Sequence, residues 1–185
     1  MAVLTQDQME DILWRATVIV LGLDPDSQDE SVQKRVRISW PKDESTTWGR
    51  NENVIFIRIT PTPDDFTTLK EISHVYDSEH DTLKENVEYH RRFTINWVCY
   101  GPDALNDADT IRMGINREPI RDMLRVHRIA FMPHIREPVR LDELDQSGDW
   151  WRRYDLSADF YDRASREYSE EYIALPPETT IIKNN

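Results

Sequence analysis

Apolar residues at Met9, Ile12, Leu13, Ala16, Ile19, Val20 and Leu23 recur at the three- and four-residue spacing of a single helical face. Thr5 stands ahead of them as a capping hydroxyl, and Gln8 three residues on completes the pattern of a capping box. Gly22 and Pro25 end the run. The spacing predicts an amphipathic helix over residues 6–21 lying on a sheet. Polar residues 24–33 read as a loop, and residues 36–40 as a short strand closed by Pro41. Over residues 53–60, Ile55, Ile57 and Ile59 alternate with Val54, Phe56 and Arg58, so a strand here is apolar on most of both faces. The charged, Ser/Thr-rich residues 41–52 before it read as a flexible connecting loop. The Thr60-Pro61-Thr62-Pro63 run after it argues against regular pairing.

Two further strands are predicted at 70–76 and 87–100. On the second, Tyr89, Arg91, Phe93, Ile95, Trp97 and Cys99 share one face, and Glu88, His90, Arg92, Thr94 and Asn96 the other. At roughly 3.3 Å per residue such a strand reaches about 45 Å, more than a typical strand needs. Its second half is apolar on one face; its first half carries charge on both. That contrast predicts a hairpin over residues 70–100, rooted in the core, with its far end at 77–86 projecting into solvent or a neighbour.

Gly101-Pro102 closes the strand, and Asp103 can cap a helix over 104–115 with Leu105, Ala108, Ile111 and Ile115 on one face. A shorter helix from about Pro119 buries Ile120, Met123 and Leu124. A strand over 129–132 ends at Pro133. Tyr154, Leu156, Ala158 and Phe160 then alternate with polar residues as a half-exposed strand, and a last strand over 171–175 precedes a polar tail at 176–185. There is no regular strand–helix–strand alternation. The expected architecture is a single α+β domain of residues 1–185, with a mostly antiparallel or mixed β-sheet flanked by an N-terminal helix and a central helix pair.

Composition changes this picture in one respect. The 185 residues carry a formal net charge of -12, which disfavours wrapping of nucleic acid. The aromatic share of 10% keeps the chain out of the disordered class. Cys99 is the sole cysteine, so no internal disulfide can form and an intracellular origin is expected. The apolar stretch 16–23 is too short to span a bilayer.

Candidate chemistry is sparse. His74, His80, His90, His127 and His134 form no zinc-type set, although His74 and His90 face each other in the hairpin as drawn. Asp77, Glu79, His80 and Asp81 cluster without the central glycine of a calcium loop and read as a solvated tip. No nucleophile elbow or glycine-rich phosphate loop is present, and Cys99 reads as a buried thiol. No catalytic, cofactor or metal residues are assigned.

The candidates that remain are for protein contact. Glu88, His90, Arg91 and Arg92 on the hairpin can set register with a neighbour. Arg117, Arg121 and Arg125, with Arg128, form a basic stripe, read either as a solvated face partly neutralised by Glu118 and Asp122 or as a dock for an acidic partner. Trp150 and Trp151 on extended backbone point to opposite sides. One is expected in the core with Tyr154, Leu156 and Phe160, the other towards a neighbour.

Several segments together resemble the phage neck terminator family of tailed bacteriophages. They are Tyr100-Gly-Pro-Asp-Ala-Leu-Asn-Asp-Ala-Asp-Thr-Ile-Arg-Met-Gly-Ile, Arg121-Asp-Met-Leu-Arg, Ile129-Ala-Phe-Met-Pro, and Asp149-Trp-Trp-Arg-Arg-Tyr-Asp-Leu-Ser-Ala-Asp-Phe. The resemblance spans residues 92–160, and the 77–86 region departs from it. It implies an α+β subunit of the virion head–tail junction, made in the host cytoplasm, that assembles into a homohexameric ring. The implied partners are the tail tube protein and the connector or stopper of the neck, with the sheath a further neighbour. Viral DNA passes through such a ring without specific binding. The family brings no catalytic residue, cofactor or membrane contact. Against it stand another neck component, such as a head-completion or stopper protein, and, from a different class, a small acidic enzyme or a DNA-mimicking anti-defence protein. Native mass separates a ring from a monomer.

Overall fold

Both halves of the predicted capping box form. The Thr5 hydroxyl accepts from the Gln8 amide at 3.2 Å, and the Gln8 side chain accepts from the Thr5 amide at 2.9 Å. The helix they start, α1, runs Gln6–Val20 in this computed structural model, which describes residues 3–39, 47–80, 82–144 and 148–171. The tail at 176–185 and residues 41–46 of the 41–52 connection lie outside the described residues. Within the expected loop 24–33 a second helix begins, α2 at Glu30–Arg35. Asp29 caps it by accepting from the Ser31 amide at 2.9 Å, and Val32 gives it one buried anchor. Polar composition concealed a helix whose start is fixed by a side-chain cap.

β1 (Val36–Ile38) lies parallel to β2 (Val54–Pro61). β3 (Lys70–Asp77) and β4 (Thr82–Tyr100) form the hairpin. After α3 (Ala104–Gly114) and α4 (Glu118–Val126) come β5 (Ile129–Ile135), β6 (Val139–Arg140), β7 (Glu143–Leu144), β8 (Trp150–Trp151) and β9 (Arg153–Glu171). The main sheet runs β1-β2-β4-β9-β5, with β3 on β4 and β6 on β9; β7 and β8 pair as a separate ribbon. All pairings but β1–β2 are antiparallel. The α+β architecture with a mixed, mostly antiparallel sheet is as the sequence predicts.

Pro61 and Thr62, expected to break pairing, continue it: Pro61 sits opposite Phe93, and the Thr62 amide donates to the Arg92 carbonyl at 3.0 Å. Successive amides of a strand point to opposite edges, so with Thr62 turned towards β4 the donorless Pro61 nitrogen faces the other way. On that side β1 reaches only as far as Ile57. Pro133, expected to end its strand, lies inside β5, which runs on to Ile135; the proline is accommodated where the register with β9 shifts between Phe131 and Ile135.

The core lies between one sheet face and the layer of α1, α3 and α4. Leu13, Ile111 and Leu124 from the helices meet Ile57, Trp97 and Phe160 from the sheet, all buried. Each such side chain contributes about 1.5–3 kcal/mol of apolar burial. Trp97 keeps its polar atom satisfied, donating to the Thr17 hydroxyl at 3.0 Å, which donates on to the Leu13 carbonyl at 2.8 Å. Gly114 lets α1 approach α3: a Cβ there would meet Val20 Cγ1 at 2.4 Å. Cys99 is buried in this core, as its place in the alternation predicts, and burial pushes its thiol well above the ordinary range.

Candidate interface on a three-stranded arm

β4 and β9 pair without a break from Tyr100 opposite Arg153 to Thr82 opposite Glu171. On β4 the buried alternation covers only Phe93, Ile95, Trp97 and Cys99. Beyond Phe93 the two strands run on past the core, with β3 flanking β4 on its other side, Lys70 opposite Tyr89 and Asp77 opposite Thr82. The projecting element is therefore three strands wide, where the sequence suggested a two-stranded hairpin. Its turn is also shorter than expected, because β4 begins at Thr82 and not at residue 87. The strand predicted from the alternation of Tyr154, Leu156, Ala158 and Phe160 continues to Glu171 as one element, and residues 172–175 of the separate last strand lie outside the described residues.

The missed third strand adds to both faces. The side continuous with the core carries Ile72 on β3, Leu83, Val87 and Tyr89 on β4, and Ala164 and Tyr168 on β9. The opposite side carries Glu71, Lys84, Asn86, Glu88 and Glu167. Lys70, His74, Glu85 and Arg166 share the first side, so the arm carries charge on both faces, as the sequence predicts, with its apolar residues gathered on one. Its central apolar residues are half-buried, whereas Ile72 and Tyr168 on the two outer strands remain 55% and 47% exposed.

Charges at the root and along the arm find partners within the subunit. Arg91 Nε donates to Asp162 Oδ1 at 2.9 Å and its guanidinium also reaches the Leu4 carbonyl; Asp162 is 2% exposed. Arg92 bridges Asp64 at 2.9 Å and Asp159 at 2.8 Å. Glu88 pairs with Arg163, which also meets Glu71 at 3.3 Å. His90 packs against Phe66 with tilted rings, centroids 5.0 Å apart, and His74 faces Glu85 at 3.3 Å, so the two histidines do not meet. Glu88, Arg91 and Arg92, expected to set register with a neighbour, are thus paired inside the subunit, because β9 supplies Asp159, Asp162 and Arg163. Asp64 is held below its ordinary value by the Tyr161 hydroxyl, the Phe66 amide and Arg92.

At the tip, ligand atoms of Asp77, Glu79 and His80 lie within 4.8 Å of one another. The Asp77 carboxylate is already engaged by Lys84 at 2.9 Å and His80 at 3.1 Å, and these contacts hold it well below the carboxylate range. A cation here would have to displace an ammonium group.

The remaining sequence candidates sit on other elements. Arg125 pairs with Asp122 at 2.9 Å, whereas Arg117 and Arg121 form no ion pair among the described residues. Beneath them Ile120 and Leu124 seat α4 on the core. Neither tryptophan enters that core. Trp150 is 59% exposed, and Trp151 joins Trp48, Phe56 and Tyr100 in an aromatic cluster on the far side of the sheet. Leu156, Ala158 and Phe160 anchor the strand in the core as expected, and Tyr154 packs part-buried against that core. Burial and a bond to Glu143 push the Tyr100 hydroxyl up to about 12. A cleft of about 410 Å³ opens beside the cluster, with Arg50, Arg140 and Arg152 among its lining residues. The hairpin residues are gathered at one end of the long strands, and the tryptophans at the other.

No helix among the described residues is long and apolar enough to cross a membrane. A search of curated proteins finds no match. Among family models, the one described as phage neck terminator protein matches residues 7–182, taking in the arm and α1 as well as the central segments whose resemblance was legible by eye.

Proposed function

The chain belongs to the phage neck terminator family, and from that premise we propose that its subunits close into a homohexameric ring that caps the tail tube and joins it to the head connector. The coarse statement, a structural virion protein of the phage neck, follows from the family. The finer one is supported by the arm. A projecting sheet with unpaired edges is a liability in a monomer and an asset in an assembly. Equivalent head-to-tail contacts between copies generate a closed ring when the rotation fits.

In this reading the tail tube protein meets one end of the ring and the connector or stopper the other, with the sheath outside. The acidic charge keeps passing DNA from adhering to the wall. Nothing in the subunit is asked to catalyse a reaction. Arg117 and Arg121 on α4 and the exposed Trp150 are surfaces for neighbours in the neck. Mass by light scattering and electron microscopy of purified protein at high concentration test the proposal. Six-subunit rings that bind tail tube ends are expected. A protein that stays monomeric with tubes present overturns it.

A further inference from the structure

We propose that the arm carries both halves of the ring contact: the open edge of β3 in one subunit pairs with the open outer edge of β9 in the next, forming one continuous sheet. This rests on the ring reading and names the surfaces that build it.

The observation is a match between two edges of the same arm. Among the described residues β3 pairs only with β4, so its outer edge is open from Lys70 to Asp77. The outer edge of β9 is occupied by β6 and β5 only as far as Asp162. One more bond, from the Arg163 amide to the Arg128 carbonyl, closes that stretch. Among the described residues it is open from Ala164 to Glu171. The two stretches stand at the same level, since Lys70 and Ala164 both flank Tyr89, and Asp77 and Glu171 both flank Thr82. Each is eight residues long by that register.

Their polarity also fits. Both strands are antiparallel to β4 and therefore parallel to each other. A rotation about an axis running along the arm brings β3 of one copy beside β9 of the next in parallel, with no axial shift and with like faces on the same side. A two-fold pairing of β3 with β3 would leave every β9 edge open. The apolar side chains follow the same logic. Ile72 and Tyr168 lie on the same face at opposite edges, and each is about half exposed for want of a neighbouring strand. With no axial shift, joined edges set Tyr168 beside His74 and Ile72 beside Arg166, so that Ile72 and Tyr168 become diagonal neighbours across the new seam.

The test combines disruption with capture. Ile72→Lys and Tyr168→Lys each place a charge at an edge, and each is expected to raise the concentration for half-assembly at least tenfold with an unchanged circular dichroism spectrum. For capture, His74→Cys and Tyr168→Cys are combined, since both flank Glu85. Ile72→Cys with Tyr168→Cys covers a two-residue offset. Within one subunit each pair is separated by two strand spacings, about 10 Å, beyond disulfide reach. The buried Cys99 does not compete. Oxidation is expected to give a ladder ending at a closed six-subunit species with one of the pairs, and none with single cysteines. A wild type that forms rings while both lysine variants also form them, or while neither pair gives a ladder, overturns this contact and leaves the ring reading standing. A wild type that never forms rings removes both. Slow hydrogen exchange at the outward-facing β3 amides in monomeric protein would show that the subunit's own chain covers the edge, and would also overturn the contact.

Discussion

Asp64 and Asp162 show how two carboxylates of the same chemistry do different work. Asp64 gathers the Tyr161 hydroxyl, the Phe66 amide and Arg92, all of which favour its charged form and lower its pKa from 3.8. A depressed carboxylate contributes stability that is complete above its unfolded value and is lost as pH falls through the folded one. Melting temperature should therefore drop between about pH 5 and pH 3 in wild type and less steeply in Asp64→Asn, which keeps the shape but cannot titrate. Asp162 is buried against Arg91, and its removal leaves a guanidinium facing a core edge. Asp162→Ala should cost about 2–3 kcal/mol in denaturant unfolding, well above the near-zero effect of Asp122→Ala at the exposed α4 pair. Equal costs would mean that burial of the Arg91 pair is immaterial.

At the scale of elements, legibility depended on whether neighbours along the chain or across the sheet decide the outcome. The capping box of α1 and the apolar half of β4 could be read because their signals are local: Thr5 with Gln8, and Phe93, Ile95, Trp97 and Cys99 at period two. The outer half of β9 could not. Its alternation reads apolar through Phe160 and then meets Asp162, which in isolation looks like the end of a strand. The compensating signal is Arg91, on the same face of β4 and opposite Asp162 in register, and only the pairing of residues 71 positions apart reveals it. Trp150 and Trp151 misled for a related reason, since Trp48, a residue with no pattern of its own, draws Trp151 to the far side of the sheet. The same dependence on partners governs α1 and α3. Gly114→Ala should push the helices apart and cost about 1–3 kcal/mol, because its new methyl lands on Val20; thermal melts of Gly114→Ala alone and with Val20→Ala check it, the double variant recovering most of the loss.

For the molecule as a whole, charge and shape act against one another. A subunit with a formal charge of -12 repels its copies, while the arm offers edges that gain from pairing. Added salt shortens the range of repulsion to about 8 Å at physiological strength and leaves strand pairing nearly untouched. Ring formation should accordingly rise as sodium chloride increases from about 0.01 M to 0.15 M in light scattering, the reverse of an assembly held by surface ion pairs. The fold class was readable from the order of elements; the shape of the arm was not, because it is built from strands distant in sequence.

The β4–β9 ladder also sets a schedule. β4 leaves the ribosome long before β9, which follows every other described element, and contacts this far apart in sequence form late and slowly. Until β9 arrives, β4 has only β2 and β3 for company and the arm lacks one of its two outer edges. On the proposed contact, a half-made subunit would have nothing with which to receive a neighbour's β3. If copies join as proposed, the last strand acts as a release signal in a crowded infected cell: only a chain that has finished folding can join a queue that ends in a closed circle.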